Sequence, residues 1–180
     1  MLNTMRPNLN EELILEEYYN IYFENTTKAR ILLKRLDYKN NCNLLSEIAT
    51  SYFDENKLRL AERYVFKALA LDSLNPKMLW VLGMVKWDYG QIESAIFCFK
   101  EIIRIGTRRV GKTGYNETID TALARINDSK FQLYKLLKDA NQAVAKRYLK
   151  DYEKGLEKGY FTIMDFYYKQ ISSYVSNIKK

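Results

Sequence analysis

The chain has 180 residues, 47% of them hydrophobic and 14% aromatic, and a formal net charge of +7. That composition supports a sizeable core and excludes a disordered chain, while seven glycines and two prolines are too few for a turn-rich all-β fold. With no histidine in the sequence, a histidine-based triad, a Cys–His dyad and a histidine metal site are all excluded.

The start, MLNTMRPNLNEELILEEYY, lacks the basic-then-apolar order of a secretion signal and soon turns acidic. The apolar runs are too short to cross a membrane, so the expectation is a cytoplasmic chain without a membrane partner. Cys42 and Cys98 lie far apart and form no CxxC pair, and they read as small buried hydrophobes in a reducing compartment. EELILEEYYNIYFEN and TTKARILLKRLDY read as a divergent helix pair within residues 1–41. Ala29, Leu33 and Leu36 give its second helix one apolar face.

Residues 42–106 contain a repeat. NLLSEIATSYFDENKLRLAERYVFKALALDSLNP (43–76) aligns with KMLWVLGMVKWDYGQIESAIFCFKEIIRIG (77–106) at an offset of 34 residues. The offset pairs Leu45 with Leu79, Ile48 with Leu82, Ala49 with Gly83, Ala61 with Ala95 and Val65 with Phe99. Ala49 and Gly83 are small where a first helix approaches its neighbour, and Ala61 and Ala95 do the same for the second helix. Asn56 pairs with Gly90 at the turn between the helices, where a left-handed backbone is tolerated. Pro76 suits the first turn of the next helix. A two-helix unit with this period resembles the tetratricopeptide repeat family. The resemblance implies an all-α fold, a right-handed superhelical stack of antiparallel helix pairs. Lys86, where the family places an aromatic residue, and Trp80, one residue past the usual tryptophan position, depart from the pattern.

The rhythm then breaks at GTRRVGKT (106–113), which matches the phosphate-loop pattern G-x-x-x-x-G-K-[ST]. A phosphate loop needs a strand before it and a helix after it. The preceding ESAIFCFKEIIRI places Ala95, Phe99, Ile102 and Ile103 on a helical face, and no β–α alternation appears elsewhere. A nucleotide hydrolase is therefore disfavoured, and with it enzymatic activity and any cofactor. Residues 107–122 read instead as an insertion loop and helix extension, with Asn116 as the new N-cap. Arg108, Arg109 and Lys112 make the loop basic, either as a solvated loop or as a contact for an acidic partner.

A degenerate third unit spans 123–158, where Ala145, Leu149 and Tyr152 repeat the spacing of Ala95, Phe99 and Ile102. The step from Ala95 to Ala145 is 50 residues, one period plus a 16-residue insertion. Residues 159–180 place Tyr160, Met164, Tyr167, Ile171, Tyr174 and Ile178 on one face and read as a C-terminal capping helix.

In a stack of this kind the first helices line the concave face. The expected partner groove comprises Thr50 and Asp54 from one unit, Lys77, Trp80, Met84 and Trp87 from the next, and Lys130, Phe131 and Tyr134 from the third. Trp80, Met84 and Trp87 form an i, i+4, i+7 stripe of the kind that anchors partner segments, unless the chain's own terminal helices cover it. Some family members hold the C-terminal carboxylate of heat-shock chaperones on this face. Ser46 and Thr50 stand where that clamp needs Lys and Asn, so this specificity does not carry over.

The reading is a protein-interaction module without catalysis, an adaptor, chaperone or immunity-type protein whose partner is another protein. Nucleic acid is the alternative, because residues 104–180 carry sixteen basic and eight acidic side chains. Those charges are interspersed, and no uninterrupted basic stripe results.

Overall fold

A computed structural model describes residues 9–110 and 118–160. They form eight α-helices and, among the described residues, no strand. The helices are α1 (Leu9–Ile21), α2 (Thr26–Leu33), α3 (Cys42–Asp54), α4 (Leu58–Leu71), α5 (Pro76–Asp88), α6 (Ile92–Ile105), α7 (Ile119–Leu137) and α8 (Gln142–Glu157). Consecutive helices pack as antiparallel pairs, α1 on α2, α3 on α4, α5 on α6 and α7 on α8. The result is an all-α solenoid.

The caps explain where the helices begin. Asn25, Asn41, Asn75 and Asn141 are N-caps whose side-chain oxygens accept from backbone amides in the first turn. Asn41 and Asn75 stand one period apart, and Pro76 follows the latter in the first turn of α5. Asn75 is fully buried, with its Nδ2 donating to Cys42 Sγ at 3.4 Å and Ser46 Oγ at 3.5 Å. One cap therefore also fastens α5 to α3. The start of α7 differs from expectation. Thr118, not Asn116, is the N-cap, in a reciprocal capping box with Thr121. Its two hydroxyls satisfy both ends of the box, which moves the helix start two residues on.

The turns between paired helices follow the repeat. Asn56 has φ +56° and Gly90 has φ +70°. In each turn the next amide closes back on the helix, Lys57 N to Tyr52 O and Gln91 N to Lys86 O, both at 2.8 Å. The α7–α8 turn lacks such a residue. Asn141 N donates instead to Leu137 O at 2.7 Å.

Three apolar clusters run along the stack. Leu15, Tyr18, Ala29, Leu33, Leu44 and Ile48 join α1 and α2 to α3. Leu45, Ala49, Ala61, Val65, Met78, Val81 and Val85 join α3 and α4 to α5. Leu79, Ala95, Phe99, Ile102, Ile105 and Leu133 join α5 and α6 to α7. Two close approaches need glycine. A Cβ on Gly83 would lie 2.9 Å from Phe99 Cε1 and Cζ, and one on Gly155 would lie 2.1 Å from Asn127 Oδ1. First helices of neighbouring pairs touch, α3 with α5 and α5 with α7, whereas the second helices of successive pairs make at most marginal contact. The first helices therefore form the inner face and the second helices splay outside. Among the described residues no helix is long and apolar enough to cross a membrane. The capping helix expected over 159–180 lies, beyond Tyr160, outside the described residues.

Candidate protein-binding groove

Polar side chains join the first helices across the inner face. From α1, Tyr18 Oη donates to Glu47 Oε2 at 3.3 Å and Tyr22 Oη to Asp54 Oδ2 at 2.5 Å. Burial, reinforced by the Glu47 charge, raises the Tyr18 phenol above its ordinary value and keeps it a donor. From α5, Lys77 Nζ reaches Glu47 Oε1 at 2.7 Å. Glu47 is 5% exposed and thus satisfied from both sides.

Trp80 stands at the centre. Its ring meets Phe53 of α3 edge-on at 5.9 Å, and its Nε1 donates to Asp128 Oδ2 of α7 at 2.7 Å. Seven residues on, Trp87 lies under Lys135, whose Nζ is 4.5 Å from the ring centroid. Burial lowers the Lys135 ammonium, against a smaller upward pull from Asp128. Both pairs are separated by 48 residues. The corresponding α3-to-α5 contacts are separated by only 27 (Phe53–Trp80) to 33 (Cys42–Asn75). The excess brackets the insertion, and α7 meets α5 in parallel register.

The remaining groove candidates divide. Met84 is half-buried and packs with Phe99, Ile102 and Leu133. Thr50 Oγ1 donates to Ser46 O of its own helix at 2.9 Å. Asp54 is exposed. On α7 two of the expected side chains, Lys130 and Phe131, meet α8. Lys130 Nζ donates to Asp151 O at 3.4 Å, Phe131 stacks on Tyr152 at 4.8 Å, and Tyr134 leans on Phe131 at 6.0 Å. Beside the apolar Leu133, the polar side chains of α7 that meet α5 are Asp128 and Lys135. The neighbouring Asn127 packs closely against Gly155 of α8. Asp128, Arg125 and Gln132 are buried polar residues that hydrophobic periodicity gives no reason to select.

The basic loop is largely spoken for. Arg108 Nε donates to Ile105 O at 2.9 Å and its Nη2 to Arg104 O, so it closes the C-terminus of α6. Arg109 Nη2 pairs with Asp72 at the end of α4 at 2.5 Å. Arg108 is exposed while it bonds to α6, and Arg109 ties the chain to the end of α4. Lys112 lies outside the described residues. The segment entering GTRRVGKT is the helix α6 followed by a 3-10 turn (Gly106–Arg109), not a strand.

Paired helices stacked through such an inner face define a tetratricopeptide-like solenoid. Two solved structures share it. One crystal structure of MamA is 19% identical, with 85% of this chain and 81% of that chain covered and a TM-score of 0.56. A second, of MamA protein, is 18% identical, with 82% and 73% covered and a TM-score of 0.54. At this identity the likeness establishes the fold. No protein-family model and no curated protein matches the chain.

Proposed function

We propose that this chain is a non-enzymatic interaction module that receives a segment of a partner protein on the inner face of its first helices. The observation that carries the reading is the aromatic row on that face. Phe53, Trp80 and Trp87 are all half-buried. Half-buried rings offer large apolar area at little further ordering cost, which is what dominates interfaces. The unit boundaries at 42–106 and 123–158, and the cap at 159–180, belong to the same proposal. An adaptor role needs nothing more than this face. Nucleic-acid binding through the basic loop is less well supported, because Arg108 and Arg109 are already engaged.

Trp87 is the discriminating residue, because Trp80 carries a structural bond to Asp128. A pull-down from native extract should recover a partner with the wild-type chain and lose it with Trp87→Ala, at unchanged helicity. Equal recovery by both chains would remove the groove reading.

A further inference from the structure

Charge is sorted by helix. The first helices α1, α3, α5 and α7 together carry nine acidic and five basic side chains, whereas α2, α4, α6 and α8 carry eleven basic and six acidic. Both lysines of α5 are paired, and on α7 the ammonium of Lys135 lies over Trp87. Lys86 turns outward to Glu62 of α4 at 2.7 Å, and Lys77 is held by Glu47. In a chain of net charge +7 the first helices are thus net acidic and the second helices net basic.

The hydrogen-bonding capacity left over on that face has the same sign. Asp54 and Asp88 occupy equivalent positions, one period apart, at the ends of α3 and α5. Both are exposed, and among the described residues neither forms an ion pair. Gln132 is 5% exposed, and its Nε2 donates to Asp128 Oδ1 at 3.3 Å, which fixes the amide orientation. Its Oε1 has no donor. Buried acceptors are normally satisfied, so this one marks a place where a donor is missing. Asp88, the remaining lone pairs of Asp54 (which already accepts from Tyr22) and the buried Gln132 amide oxygen can all take donors.

We infer that the inner face takes a basic segment of a partner protein, with lysine or arginine side chains at Asp54 and Asp88 and an N–H donor at Gln132. The inference rests on the reading of that face as a groove. Opposite charge on the outer helices steers such a segment inward.

The test uses the full chain with two labelled synthetic peptides, one alternating lysine and alanine, the other glutamate and alanine, followed by fluorescence anisotropy at low salt. The lysine peptide should bind more tightly, and Asp54→Asn with Asp88→Asn should weaken it about tenfold. Asp54→Lys with Asp88→Lys should invert the preference, a gain that misfolding cannot mimic. Equal binding of both peptides, or indifference to the aspartate variants, overturns the inference. Binding lost on Trp87→Ala but untouched by the aspartate changes keeps the groove and removes the basic partner. Binding that responds to neither set removes both readings.

Discussion

Trp80 of α5 and Asp128 of α7 are joined by a 2.7 Å hydrogen bond between indole N–H and carboxylate. Asp128 is 2% exposed, and its second oxygen accepts from Gln132. The bond fastens the third complete junction of the stack at the place where the repeat is interrupted. It also gives Trp80 a structural duty that its place in an aromatic stripe does not announce.

Removing one end of that bond should cost more than removing both. Asp128→Ala strands a part-buried indole N–H and should lower stability by about 1–3 kcal/mol. Adding Trp80→Phe to that background should cost less than Trp80→Phe costs alone. Urea unfolding of the four chains measures the coupling, and strict additivity would mean the bond contributes nothing.

Gly83→Ala should destabilise by about 1–3 kcal/mol, because its Cβ would sit 2.9 Å from the Phe99 ring edge. Phe99 is fully buried and cannot swing aside. Phe99→Leu in the same chain should make the alanine cheaper to accept, as read from the change in thermal midpoint. A glycine-to-alanine change that raised the midpoint, as helix propensity alone would require, would contradict the close approach.

The two left-handed turns should respond in opposite directions. Gly90 has open space around it, so Gly90→Ala meets only backbone strain, a loss of about 1–2 kcal/mol. Asn56→Gly relieves the same strain and should be neutral or mildly stabilising. Chemical denaturation of both variants reports the difference.

Glu55 supplies a pH dependence. Burial pushes its carboxyl up, but hydrogen bonds from Lys57, Thr27 and Arg30 and the Arg30 charge outweigh that and hold it at about 2, below the ordinary 4.5. Arg30 Nη2 is 2.8 Å from Glu55 Oε2 and links α2 to α3. A carboxylate with a depressed folded pKa stabilises fully above its unfolded value, and the contribution fades as pH falls through the folded one. Stability should therefore drop between about pH 4.5 and 2, and Glu55→Gln should flatten that limb. An unchanged acid limb would show that Glu55 is not involved.

Much of this architecture was legible in the residues. The 34-residue offset pairs small residues where helices approach and pairs Asn56 with Gly90 where the backbone turns left-handed. Those features are legible because sterics restrict which residue can stand there. The rotation of α7 was not. After the insertion no period remains to anchor it, and the side chains that bond to α5 beside Leu133 are an aspartate and a lysine, which apolar periodicity passes over. The Asn41–Asn75 caps could have been found from the same offset, since only a short polar side chain caps a helix there. Arg109 could not, because its partner Asp72 belongs to the previous unit's closing turn, with nothing in the local sequence linking the two.

The insertion between α6 and α7 also bears on how the chain folds. In the unfolded chain, bringing Trp80 to Asp128 closes 48 residues, against 27 for Phe53 to Trp80. Loop-closure entropy grows only with the logarithm of length, so the extra cost is about 0.5 kcal/mol. The penalty falls on timing more than on equilibrium. The central pairs α3–α6 can assemble through short-range contacts first, and α7–α8 dock onto a finished edge.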